Sequence, residues 1–344
     1  MFRVLIIGFG RSGHGLHLPV LRRLRAGRHA GLFAGAPIAV HDPYAPAPAS
    51  APDLRPLADL AAAPAVTPPD QTVVHLCTPP EVRVRVLREL AAMGYRRFLV
   101  EKPVATDEAS AEQILDLRRR LGLHIVVVAP WLASTLTAGL RRLITDGTLG
   151  TLSRIDILQT KPRLGRTLRG DGHPTALDVE VPHSTGVALR LAGPARLVDA
   201  GWTDMRAGDR VVPRMGTGRL TLAHATGTRT HIFTDLTSPI RERRITLTFT
   251  GGQAVGFYPS SETDHYAHLR TSGLAHPGAR QMFVDDSLTE FMLRAYTAFR
   301  DETDHELDLL LNMDVVRLIS AAKARITAAE QATRPPTLAG TSHG

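Results

Sequence analysis

Phe2-Arg3-Val4-Leu5-Ile6-Ile7-Gly8-Phe9-Gly10-Arg11-Ser12-Gly13 places a short apolar run directly before a Gly-x-Gly-x-x-Gly spacing. Gly13 to about Gly27 follows with Leu16, Val20, Leu21 and Leu24 at helical intervals. A strand, a glycine turn and an amphipathic helix in that order form a phosphate-binding unit. Gly8 permits the tight turn, Gly10 lets a pyrophosphate approach the backbone, and Gly13 lets helix and strand pack closely. The helix amino end then receives the phosphate charge. Gly8, Phe9, Gly10, Arg11, Ser12 and Gly13 are therefore the expected dinucleotide-binding loop.

Working outward, Ile38 to His41 reads as a second strand, and Asp42 ends it. An acidic residue there is placed to hold the adenosine ribose. Its charge would repel a 2′-phosphate, which favours NAD, with NADP as the alternative. Asp42 lies further from the glycines than the usual spacing, so Ala26 to Pro37 must contain extra helix or loop. Pro43 to Pro69 is rich in Ala and Pro and reads as loop with at most one short helix near Leu57 to Leu60.

Val73 to Leu76, Arg97 to Glu101 and His124 to Ala129 read as further strands. Helices alternate with them. One starts at Thr78 with a capping box to Glu81, and Thr106 caps another. This alternation is the pattern of a parallel α/β sheet.

The grammar changes near Pro130. Thr135 to Thr145 and Thr175 to Leu191 read as helices and Leu152 to Gln159 as a strand. Arg196 to Gly201, Arg219 to Ala225, Thr230 to Leu236, Arg243 to Thr250 and Gln253 to Tyr258 alternate in period two, as one mostly antiparallel sheet does. Val284 to Arg300 and Glu306 to Ala328 close the chain as helices. The fold class is α/β: an N-terminal Rossmann dinucleotide-binding domain over 1–128, then an α+β domain with a large, mostly antiparallel sheet over 129–333. Residues 334–344 read as a flexible tail.

Composition excludes several classes. A net charge of +8 invites nucleic acid, but the basic residues are scattered and lack interleaved aromatics. No stretch approaches the roughly 20 apolar residues of a membrane span. No signal peptide is recognisable. A single cysteine, Cys77, cannot pair internally, so a reducing cytoplasm is expected. No Cys, His and carboxylate cluster has metal-ligand spacing. Among 41 basic residues only Lys102, Lys161 and Lys323 are lysine. One of these rare titratable amines stands in Glu101-Lys102-Pro103, where an always-charged Arg could not exchange a proton. That tripeptide ends the fourth strand, at the sheet edge where ligands bind. Arg163, Arg166 and Arg169, with Arg241, Arg243 and Arg244, read as solvated basic loops, the alternative being that either group approaches the second-domain pocket and receives an anionic substrate such as a phosphorylated sugar or cyclitol.

Gly8-x-Gly10-x-x-Gly13 with His17-x-Pro19, then Cys77-Thr78-Pro79-Pro80, then Glu101-Lys102-Pro103, resembles the glucose-fructose oxidoreductase, inositol dehydrogenase and rhizopine-catabolism (Gfo/Idh/MocA) family. Leu143-Ile144-x-x-Gly147-x-Leu149-Gly150 extends the likeness. The resemblance implies a Rossmann domain followed by an open-sheet domain, and a homodimer or homotetramer joined through that sheet. It implies oxidation or reduction of a sugar, cyclitol or related polyol, with no nucleic acid or membrane partner. It adds Cys77, Thr78, Pro79, Glu101 and Lys102 to the cofactor-binding set, and it suggests that His17 lines the cofactor cleft.

In that family the lysine works with an Asp and a His on a second-domain helix. The matching segment here is Leu177-Asp178-Val179-Glu180-Val181-Pro182-His183, which makes Lys102 and His183 candidate catalytic residues. The supporting carboxylate is open between Asp178, five residues before His183, and Glu180, three before it on the same helical face. Two rival functions use the same fold: a non-catalytic dinucleotide-binding regulator, and an imine or enone reductase.

Overall fold

The apolar run after Phe2 becomes β1 (Arg3–Ile7) in a sheet with β2 (Ile38–His41), β3 (Leu54–Pro56), β4 (Thr72–Leu76), β5 (Arg97–Glu101) and β6 (His124–Val128). In this computed structural model, residues 1–44, 51–170, 172–261, 264–273 and 278–332 are described. The expected tail at 334–344 lies outside them. The strands run parallel in the order β3-β2-β1-β4-β5-β6. Strand order reverses beside β1, so a crevice forms at the carboxyl ends of β1 and β4.

Around this sheet lie α1 (Leu18–Ala26), α2 (Ala63–Val66), α3 (Arg83–Ala92) and α4 (Glu108–Leu121). Two helix starts differ from expectation. Pro80–Val82 forms a 3-10 turn before α3, and the Thr78 hydroxyl is buried with no partner, so the capping box is not made. The cap of α4 is Asp107, whose carboxylate accepts from the N–H of Ser110, while Thr106 donates to Asp107. The Ala/Pro stretch also holds a strand. β3 pairs with β2 alone, an edge position that tolerates Pro56.

The second half contains α5 (Thr135–Asp146), β7 (Leu152–Thr160), α6 (Leu164–Leu168), α7 (Val181–Ala192), β8 (Ala195–Trp202), the short hairpin β9 (Met205–Ala207) and β10 (Arg210–Val212), β11 (Thr217–His224), β12 (Arg229–Asp235), β13 (Glu242–Phe249), β14 (Gly252–Phe257), β15 (Tyr266–Gly273) and β16 (Ala279–Val284). Eight of these strands pair in the order β16-β15-β14-β13-β7-β12-β11-β8. Only β7 with β12 is parallel. β15 and β16 escape sequence reading because β16 is exposed at nearly every position and backbone pairing alone sets its register.

One sheet face packs Ile155, Ile157, Leu220, Ile232 and Leu247 against α5, α7 and the last helix. That helix, α9 (Glu306–Ala332), follows α8 (Ser287–Arg300). Both reach back to the first sheet. Met292, Ala295, Tyr296 and Phe299 of α8 join the core of Val4, Ile6, Leu21 and Ile38, and Leu309 and Val316 of α9 join the core of the opposite face. Each fully buried aromatic there is worth about 1.5–3 kcal/mol by area. Among the described residues no helix is long and apolar enough to cross a membrane.

Candidate active site

The glycine loop follows the expected division of labour. Gly8 has φ +90°, donates its N–H to His41 O at 2.9 Å, and lies so close to Cys77 that a Cβ would meet the Cys77 carbonyl carbon at 2.8 Å. A Cβ on Gly13 would lie 2.1 Å from Gly8 O, whereas one on Gly10 would meet nothing within 4 Å. The first residues after the loop form a π-turn, Gly13–His17, in which Leu18 N–H reaches back to Gly13 O. The widening precedes Pro19, which has no N–H for a regular ladder. Asp42 is drawn onto the loop. Its Oδ2 accepts from Phe9 N at 2.6 Å and its Oδ1 from Tyr44 N at 2.8 Å. An open glycine, a helix amino end and a carboxylate at the tip of β2 together fit a dinucleotide.

The loops after β4 and β5 are clamped by Arg83, a residue with no motif or spacing signal of its own. It is 2% exposed, and its guanidinium donates to Thr78 O at 2.7 Å and also to the carbonyls of Glu101 and Pro103. Burial lowers its pKa to about 10, opposed by the nearby Glu101 charge, so it stays cationic. Glu101 turns inward, and its Oε2 accepts from Lys102 N at 3.1 Å while its Oε1 meets His17 Nε2 at 2.9 Å. His17 is 0% exposed, so it stands behind the cleft rather than lining it.

Lys102 and His183 share one pocket with Pro103, Trp131 and Asn312. Trp131 sits in the Pro130–Leu132 turn just beyond β6. Its ring stacks on His183 (5.6 Å between centroids, 28°) and on Tyr258 (4.1 Å, 13°), and the Arg243 guanidinium lies 6.0 Å from it. Burial and the Lys102 charge push His183 down to about 3, against the pull of Glu180. The ring is therefore neutral at physiological pH. His173 behaves alike: burial and Lys102 hold it at about 4.

The expected helix Thr175 to Leu191 is two pieces. Ala176–Asp178 is a 3-10 turn, and α7 begins at Val181 with Pro182 in its first turn. Pro disfavours helical geometry in the residue before it and suits a helix start. Spacing on one regular helix therefore does not relate Asp178, Glu180 and His183. Asp178 caps its own turn, accepting from Thr175 N and Oγ1, and pairs with Lys323. Glu180 is 7% exposed and pairs with Lys161. Burial would raise its carboxyl, but Lys161, Arg243 and His183 outweigh that and hold it at about 2. The structure thus gathers Lys102 and His183 in one pocket, sets Glu180 where it acts on His183, and commits Asp178 to its own turn and to Lys323. Trp131, Tyr258 and His173 carried no spacing signal; Trp131 alone offered a cue, as one of two tryptophans and adjacent to a strand end. Among the described residues no group of three or more His, Cys, Asp or Glu is placed to hold a metal.

This strand order and this loop define a nucleotide-binding Rossmann protein. Residues 2–129 match the Gfo/Idh/MocA family model, described as an oxidoreductase family with an NAD-binding Rossmann fold. No curated protein matches. Solved structures of similar fold include KijD10, a 3-ketoreductase from Actinomadura kijaniata held with TDP-benzene and NADP (16% identity, 94% of this chain and 96% of that one, TM-score 0.74). A putative NADPH-dependent oxidoreductase from Desulfitobacterium hafniense is 15% identical over 96% of each chain, with TM-score 0.75. An NAD-binding oxidoreductase from Klebsiella pneumoniae is 16% identical over 95% and 97%, with TM-score 0.73. At such identities the likeness is one of fold.

Proposed function

We propose that the protein is an NAD(P)-dependent oxidoreductase that interconverts a secondary alcohol and a ketone on a sugar, cyclitol or related polyol. The observation that carries this reading is the single pocket shared by Lys102 and His183. Bound nicotinamide supplies or accepts a hydride; the protein must move the matching proton. His183, neutral because of burial and Lys102, takes the hydroxyl proton, or returns it in the reductive direction. Lys102 donates a hydrogen bond to the same oxygen and stabilises its developing charge. Trp131, which lines the same pocket and is backed by the stacked Tyr258 ring, offers an apolar wall for the C–H face of a ring substrate. Glu180, fixed by Lys161, supports the His183 side of the pocket.

Asp42 supports NAD; the NADP complexes of fold neighbours keep NADP as the alternative. The outward sheet face, with Phe233 40% exposed beside Arg219 and Arg244, suits a second copy of the chain in a homodimer or homotetramer. The free thiol of Cys77 suits a cytoplasmic setting.

The test is a spectrophotometric screen following reduced nicotinamide absorbance, with NAD and NADP against inositols, aldoses, sugar nucleotides and sugar phosphates. Turnover with one of these classes upholds the reading. Cofactor binding with no turnover on any of them favours the regulator, although a regulator has no use for Lys102 and His183 in one pocket.

A further inference from the structure

Four buried polar side chains form a line behind the Lys102 loop. His17 Nε2 lies 2.9 Å from Glu101 Oε1, His17 Nδ1 lies 2.7 Å from His75 Nδ1, and His75 Nε2 lies 2.7 Å from Tyr296 Oη. His17, His75 and Tyr296 are 0% exposed. The line starts on α8 and crosses β4 and the π-turn to reach a carboxylate whose other oxygen holds the Lys102 N–H. We propose that His17, His75 and Tyr296 are positioning residues for Lys102, acting through Glu101. This rests on Lys102 being the group that meets substrate.

Charge decides how the line is arranged. A carboxylate buried without a counter-charge costs several kcal/mol. If His17 is doubly protonated, it donates to Glu101 and to His75, and His75 donates to Tyr296. All three ring N–H groups are then used and the line is neutral overall. If His17 is neutral, Tyr296 and His75 must donate in the opposite sense, and Glu101 is left with only Arg83 and Lys102 as counter-charges. The groups around the line agree with the first arrangement. Burial lowers His17, but Cys77 and Glu101 outweigh it and raise the ring to about 10. Burial and the His17 charge keep His75 neutral. Arg83 and Lys102 face Glu101, and Arg25 acts on Tyr296. Without the His17 cation, Glu101 would turn to the Lys102 ammonium for its counter-charge and draw that side chain out of the pocket.

Three lysines make this measurable without a substrate. In the full-length protein labelled at lysine Cε with carbon-13, three resonances are expected, and Lys102→Arg identifies the one of interest. In His17→Gln and Tyr296→Phe the Lys102 resonance should move by more than its line width, further in the first, while those of Lys161 and Lys323 stay. Ring nitrogen-15 spectra of the native protein should show His17 doubly protonated at neutral pH. A Lys102 resonance unmoved in the folded variants, or a neutral His17, overturns the proposal. If His17→Gln does not fold, Tyr296→Phe decides alone, since its ring still packs on Phe2 and Phe33. A failed turnover screen leaves these readouts intact, so the two proposals fail separately.

Discussion

Asp178 and Glu180 are two residues apart and are held by different lysines, Lys323 on α9 and Lys161 at the end of β7. Each carboxylate is thereby committed to one side of the break before α7. Asp178→Asn should remove a cap and a partly buried ion pair, lowering unfolding free energy by about 2 kcal/mol with little effect on turnover. Glu180→Gln leaves the buried Lys161 charge uncompensated, and should cost on the order of 3 kcal/mol as well as turnover. Denaturant unfolding beside the nicotinamide assay separates the two.

The glycine loop predicts a divided phenotype. Gly13→Ala drives a methyl into Gly8 O, so it should destabilise the fold by about 2 kcal/mol and lose cofactor. Gly10→Ala has open space around it. Its stability should change by only about 0.5 kcal/mol, while dinucleotide affinity falls, because the added methyl occupies the approach of the pyrophosphate. Thermal melts with and without NADH check both.

Lys102→Ala and His183→Ala should each lower kcat/KM by about 10²- to 10⁴-fold and keep NADH binding, measured by nucleotide fluorescence. Retained turnover in both variants removes these residues from the chemistry.

Stability should crest near pH 6.5. His183, at about 3, and His173, at about 4, are lowered in the folded state. The unfolded chain takes up their protons first, so stability falls as pH drops from about 6.5 toward 3. His17 is raised to about 10, so its contribution, on the order of 3 kcal/mol, is complete below about 6.5 and is lost as pH rises through 10. Urea midpoints across this range should lose their alkaline slope in His17→Gln and part of their acid slope in His183→Gln.

Local chemistry made much of this fold readable. β2 and β5 begin and end where apolar runs meet Asp42 and Lys102, because strands buried on both faces announce themselves. Lys102 and His183 were legible as a resemblance in motif order. The supporting carboxylate was not, since counting along one helix assumes a helix that Pro182 in fact begins. His17 read as a cleft residue, because a sequence does not tell which side of a loop a ring takes. Trp131, Tyr258 and His173 arrive from separate elements, and no spacing encodes such a meeting. The return of α8 to the first sheet was equally hidden, because its apolar face would suit either core.

That return has a consequence for how the molecule could be cut or recombined. His75 and its partner Tyr296 are 221 residues apart in the chain. A chimaera that borrowed only 1–128 would inherit the nucleotide sheet with one face unroofed, leaving Phe2, Phe33 and His75 facing water where Tyr296 and Phe299 belong. The transferable unit is the sheet together with its distant helix, so a swap of substrate specificity has to splice out the middle of the chain and keep both ends.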